Sequence, residues 1–427
     1  MQPMATRRLA ITACIAGAMW LAMGFIPQTE AQDATPVSPT VLNHWTQFGP
    51  DGGLTARARV NGDCPTAVID DEPLPMIVRA KPSGEFTDTV CEIPVPLDAK
   101  RASINGEDLA LAPTSLATVS IIGDTGCRVW KERVQDCSDP AVWPYKQVLD
   151  SAMAISPNLL IHVGDYIYLE DACDPATFAW CKGMTFGDTT KTWEADFFSP
   201  SAAALPQVPW VFLRGNHELC DREGQGWFRY LAPGSMPETC TDFTDPFLMP
   251  ILGQRFIVMD TAAVGDTKTT PELNTEFASQ FLEVRAIAEP GDWLLTHKPI
   301  AGGLLDLGKG EQFVTYATIR ETADGRLPEE LAAVISGHIH LGQVLQFEET
   351  SGYPLQIIVG NSGTALDKGV NGVFTGEVLG APGLVQHAIN VAEFGWLSVE
   401  QDGGQIIATF RDATGAPVTT MYAGSPK

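Results

Sequence analysis

Five short apolar runs in this chain each stop at a residue that can hold a metal or move a proton. They read SIIGD, LLIHVGD, WVFLRGNHE, WLLTH and AVISGHIH, and they end at Asp124, Asp165, Asn216-His217-Glu218, His297 and His338-Ile339-His340. Each run has strand length and is rich in β-branched or aromatic residues, the pattern of a strand buried on both faces. Helical stretches separate some of them, such as WPYKQVLDSAMAIS before the second and TEFASQFLEVRAIAE before the fourth. That alternation predicts an α/β fold with parallel pairing. In such sheets chemistry gathers just beyond the carboxyl ends of the strands. The chain is therefore constrained to bring its polar strand ends to one edge.

The sequence contains seven histidines, and four of them, His217, His297, His338 and His340, fall at these ends. Carboxylates mixed with imidazoles suit Fe, Zn or Mn. A His-x-His pair in an extended segment puts both rings on one face, where they can serve neighbouring metals. One aspartate can bridge two cations, and two metals about 3.5–4 Å apart clamp the attacking and leaving oxygens of phosphoryl transfer. Gly-Asp alone reads as a turn and Gly-Asn-His-Glu alone as a cap; together, at successive strand ends, they read as one site. His162 lies inside a strand and is read as structural, and His44 and His387 as surface or loop residues.

The series Gly-Asp-x-Gly, Gly-Asp-x-x-Tyr, Gly-Asn-His-Glu, a strand-end His and Gly-His-x-His resembles the calcineurin-like metallophosphoesterase superfamily. Asp124-Thr125-Gly126, in place of Asp-x-His, together with Tyr168 after Asp165, is similar to its purple acid phosphatase branch. The resemblance covers about 116–410. It implies a four-layer αββα sandwich of two mixed sheets. Asp124, Asp165, Tyr168 and His340 would hold Fe(III), with Asp165 bridging. Asn216, His297 and His338 would complete a second site for Fe(II), Zn or Mn. His217 would protonate the leaving oxygen, Glu218 would orient His217, and a metal-bound hydroxide would attack phosphorus in line. The catalytic set is thus His217, Glu218 and Asp165. The alternative for Tyr168 is packing behind Asp165. One departure stands out: the family carries a further histidine nine or ten residues after His297, where this chain has Asp306 and Leu307, with Lys298 and Lys309 as nearby cations.

The expected function is hydrolysis of a small phosphate monoester by an exported enzyme. The alternatives are a phosphodiesterase or nucleotidase on the same metal centre, and a non-catalytic metal-binding envelope protein. Residues 1–31 read as a signal peptide, with Arg7 and Arg8 before an apolar run and cleavage after Ala31. Residues 32–44 read as a flexible leader, 45–113 as a small all-β module of short strands between turn signals, and 114–427 as the metallophosphoesterase domain. Eight cysteines remain after cleavage, an even set suited to disulfides in an oxidising compartment. Pairing near neighbours gives Cys64–Cys91, Cys127–Cys137, Cys173–Cys181 and Cys220–Cys240. The formal charge of −25 argues against nucleic acid as a partner. No membrane anchor is expected after cleavage, and the expected location is the periplasm or the secreted fraction.

Overall fold

The apolar runs pair side by side, as strands without polar faces must. In the computed structural model Thr118–Ile122, Leu159–His162 and Trp210–Phe212 are consecutive parallel neighbours, with Ile161 opposite both Ile121 and Val211. In a second sheet Gln254–Val258, Trp293–Leu295, Ala333–Ser336 and Leu355–Val359 are likewise parallel. The structure describes residues 39–423 except 131–132, 301, 307–309, 315, 324–326, 329–330, 349–350, 378–383 and 403–404. The segment read as a signal peptide, and the leader up to residue 38, lie outside these residues.

Antiparallel strands extend both parallel cores, giving mixed sheets of ten and eight strands. Alternation along the strands decides what each face covers. Leu159, Ile161 and Val163 point into a core shared with Phe256, Trp293, Leu295 and Ile335 of the other sheet. Leu160, Trp210 and Phe212 point the opposite way, onto Tyr145 and Leu149 of the helix Tyr145–Ala154. Outside the second sheet, Ile257, Leu294 and Val334 pack on Phe277, Phe281 and Val284 of the helix Pro271–Ile287. Those helical positions recur at intervals of three and four, one face of a 3.6-residue helix. Thr270 caps that helix, accepting from the Leu273 N–H at 3.2 Å, and Pro271 opens it. The layers are therefore helix, sheet, sheet, helix.

The β-rich N-terminal stretch divides between two sheets. Thr40–Phe48, Leu54–Asn61, Ile77–Ala80 and Thr89–Val95 lengthen the ten-stranded sheet, with Gln47 paired in parallel to Trp210. Four shorter strands form a sheet of their own, and Ala67, Ile69 and Ile104 from it join the core between the large sheets. The first strand begins at Thr40, inside the stretch expected to be a leader. There it gains a full antiparallel partner in Leu54–Asn61. All four disulfides join the expected near-neighbour pairs. No helix among the described residues is long and apolar enough to cross a membrane.

Candidate metal centre

Both parallel cores end at the same edge, and their polar strand ends meet there. Asp124 and Asp165 are fully or almost fully buried. The Tyr168 hydroxyl lies 2.8 Å from Asp165 Oδ2, 3.2 Å from Asp124 Oδ1 and 2.9 Å from His340 Nε2. His297 Nε2 lies 3.2 Å from the same Asp165 Oδ2 and 3.1 Å from Asn216 Oδ1. Donor atoms of Asp124, Asp165 and His340 fall within 4.8 Å of one another, as do those of Asp165, His297 and His338. Asp165 belongs to both groups. Tyr168 thus faces the carboxylates rather than packing behind them.

The backbone is bent to achieve this. Asp124, Asp165 and His338 have φ of 55°, 60° and 70°, the left-handed region that costs a non-glycine residue about 1–3 kcal/mol. Glycines beside them permit the approach. A Cβ on Gly215 would lie 2.1 Å from Asp165 Oδ1, and one on Gly337 would lie 2.4 Å from Asp124 Oδ2. The Gly-His-x-His segment is therefore bent and not extended, as the sequence reading had it. Its two rings still separate, His338 to one donor group and His340 to the other. Thr364 N–H, from the Gly-rich turn after Val359, donates to the Asp124 carbonyl at 2.9 Å and closes one wall.

The donor chemistry fits cations. His297 Nδ1 lies 2.8 Å from the Val163 carbonyl and His340 Nδ1 3.0 Å from the Ala365 carbonyl. Each Nδ1 thus keeps its hydrogen for a carbonyl and leaves the Nε2 lone pair facing the carboxylates. Burial lowers His338 and His340 to about 4, so both are neutral imidazoles, the form that binds metal. Burial and the neighbouring Asp165 push Asp124 well above the carboxylate range. Burial also opposes charge on Asp165, but His297 and His217 outweigh it and hold Asp165 well below that range. Two buried carboxylates with oxygens within 4.8 Å of each other are an arrangement that cations relieve.

His217 and Glu218, adjacent in sequence, face different partners. His217 is buried, its ring tilted at 37° to that of Tyr168 with the centroids 3.7 Å apart. The expectation that Glu218 orients it is corrected by the structure. Glu218 Oε1 accepts from Tyr166 N–H at 2.8 Å, and Oε2 from Gly215 and Asp165 N–H at 3.0 and 3.1 Å. It thereby fixes the backbone that carries Asp165. The carboxylate beside His217 is Glu170, 2.9 Å from Nδ1, with Arg222 Nη2 2.8 Å from the same nitrogen. The sequence reading missed Glu170 and Arg222, which lie in aperiodic loops. Their only signal was closeness to Tyr168 and His217. His162 is structural, as read: it stacks on Tyr166 and its Nε2 meets Thr125 Oγ1 at 2.9 Å.

Of the residues near the missing histidine, Leu307 and Lys309 lie outside the described residues, as does the side chain of Asp306. Lys298 is buried and committed, donating to the Val264 carbonyl at 2.6 Å and to Asp266 at 2.7 Å. The whole arrangement opens into a cleft of about 900 Å³ lined by Asp165, Asn216, His217, His338 and His340.

Known proteins share this fold. Purple acid phosphatase PPD1 from yellow lupin (Lupinus luteus) seeds superposes with a TM-score of 0.60 at 12% identity, covering 91% of this chain and 74% of that one. PhoD superposes at 0.55 with 12% identity, covering 91% of this chain and 90% of that one. At such identity both show the fold. No curated protein matches the chain in sequence. Residues 117–342 do match the family model of the calcineurin-like phosphoesterase. Over more than half its length, and through all the strand ends that supply its donors, this chain belongs to the calcineurin-like phosphoesterase family.

Proposed function

We propose that this chain is an exported two-metal phosphoesterase that hydrolyses phosphate monoesters. The observation that carries the reading is Asp165, whose carboxylate stands in both donor groups. Asp124, Asp165, Tyr168 and His340 would hold one cation, Fe(III) by virtue of the phenol oxygen. Asp165, Asn216, His297 and His338 would hold the other, Fe(II), Zn or Mn. When bound, the pair supplies charge neutralisation and a water acidic enough to be a nucleophile near neutral pH.

The chain's own groups do the rest. Glu170 and Arg222 fix the His217 ring over the cleft, where it hands a proton to the leaving oxygen. Burial lowers the His217 pKa below its ordinary 6.5, against the pull of Asp165 and Glu170. Its proton is therefore present on the acid side, and turnover falls as pH rises through that region. Glu218 holds the Asp165 loop in its strained shape. Four disulfides among the described residues support a periplasmic or secreted location.

The test is hydrolysis of an aryl phosphate by protein stripped with chelator and reloaded with iron and zinc. Activity that returns with metal is expected. A reloaded protein that cleaves no phosphate ester overturns the reading. His217→Ala is expected to lose turnover and keep its metal; unchanged turnover removes the proton-donor role.

A further inference from the structure

An arginine with a rigid backbone and no ion-pair partner among the described residues stands beside the first donor group. Arg128 opens a short hairpin, Val129–Trp130 paired with Arg133–Val134, and the Cys127–Cys137 disulfide closes its base. Buried Gln135 accepts the Arg128 N–H at 3.0 Å, and buried Asp196 accepts the Cys127 N–H at 2.6 Å. The main chain on both sides of the side chain is therefore held.

The guanidinium is not. Its carbon lies 5.6 Å from the centroid of the Tyr168 ring. Its Nε is buried without a hydrogen-bond partner. Among the described residues its side-chain hydrogen-bonding neighbour is His340 Nδ1, 3.4 Å from Nη1. That nitrogen already gives its hydrogen to the Ala365 carbonyl, so it has no lone pair to accept with. Arg57, Arg59, Arg79, Arg214 and Arg222 all pair with carboxylates, whereas Arg128 pairs with none among the described residues. In a chain with 52 acidic and 27 basic residues, a guanidinium paired with no carboxylate among the described residues is available to another anion. Of the acids that line the same cleft, Glu170 is engaged with Arg222 and His217, and Asp266 with Lys298. Arg128 lines the same cleft as Asp165 and His340.

We propose that Arg128 is a phosphate-binding and specificity-determining residue: its guanidinium takes a non-bridging oxygen of a dianionic phosphate monoester and so sets a preference for monoesters over diesters. This rests on the phosphoesterase reading above and names the substrate class for it. A monoester carries two charges and three non-bridging oxygens, a diester one charge and two. A fixed cation added to a metal pair favours the first, because charge-assisted hydrogen bonds are the stronger ones. The guanidinium cannot lose its proton, so the preference holds while the monoester is dianionic and narrows at acid pH, where the ester gains a proton near its second pKa of about 6.

The experiment compares Arg128→Gln and Arg128→Lys with the parent, each metal-loaded and oxidised, on a matched aryl monoester and diester. Inorganic phosphate binding is titrated calorimetrically in parallel, with metal content and thermal midpoint as checks on the fold. In Arg128→Gln, monoester kcat/KM is expected to fall about 10- to 100-fold, with a clearly smaller fall for the diester and weaker phosphate binding. Arg128→Lys recovers part of the phosphate affinity. Equal falls for both esters with unchanged phosphate affinity overturn the proposal, as does a parent that prefers the diester. A parent that cleaves neither ester overturns the underlying function instead, and the phosphate titration then decides on Arg128 alone.

Discussion

The two sheets supply the candidate metal centre by different means. From the ten-stranded sheet, Asp124 and Asp165 stand two and three residues past their strands, whereas Asn216, His217 and Tyr168 lie four to six residues out, on irregular loops. Those loops are fastened by Cys127–Cys137, Cys173–Cys181 and Cys220–Cys240, and by the buried carboxylates of Glu218 and Asp196, which gather backbone N–H groups. From the eight-stranded sheet, His297 and His338 each stand two residues past a parallel strand, Trp293–Leu295 and Ala333–Ser336. No disulfide among the described residues lies on that side. A ligand close to a strand is positioned by the sheet. A ligand far out on a loop needs cross-links and buried acceptors to hold it.

Asp165→Ala tests the contrast most severely, because Asp165 is the residue common to both donor groups. Both metals and activity should be lost together, beyond the roughly 10- to 100-fold typical of residues one layer out. Elemental analysis showing one metal retained at full occupancy with activity would break the bridging role. Separating the sides comes next. His297→Ala should empty the second position alone, and Tyr168→Phe should bleach the visible absorption of an iron phenolate while the second metal stays. A Tyr168→Phe protein with unchanged colour would remove Tyr168 from the iron. Glu218→Ala sharpens the loop argument: activity should fall about 10- to 100-fold, although Glu218 belongs to neither donor group.

Smaller effects probe stability. Replacing Cys220 and Cys240 together by serine should cost about 2–4 kcal/mol in denaturant unfolding, and activity should become sensitive to mild heating. No change in unfolding would mean that Glu218 and its hydrogen bonds suffice on that side. Glu223, behind the same loop, is pushed up to about 10 by burial and by Asp188, whose carboxylate accepts from Gln225, Gly226 and Trp193. Glu223 is therefore protonated in the fold. Its contribution is complete below the unfolded value near 4.5 and is lost as pH rises through about 10. The thermal midpoint should fall toward pH 10 in the parent and less in Glu223→Gln; parallel curves would assign the fall to another group.

Much of the site was legible because metal chemistry uses few residue types and buried strands have a recognisable composition. Asp124, Asp165, Asn216, His297 and His338 were readable as strand ends before any contact was known. The disulfides were readable because each pair is close in sequence, 8 to 27 residues apart. Glu218 was misassigned because its partners are backbone N–H groups, which leave no trace in side-chain identity. Glu170, Arg222 and Arg128 sit in segments without periodicity, where charged residues ordinarily mean solvent. The pairing of Gln47 with Trp210 was beyond reach for another reason: a strand's composition says that it is buried, not which strand it will neighbour.

The contact between the His338 N–H and Asp124, 2.9 Å long, spans 214 residues of chain. Its consequence concerns the order of events in the life of the protein. A polypeptide emerging N-terminus first has Asp124, Asp165 and Asn216 well before His338 and His340 exist. No fragment that ends before His338 presents both donor groups. A pair of cations held by both would therefore require a chain made at least as far as His340.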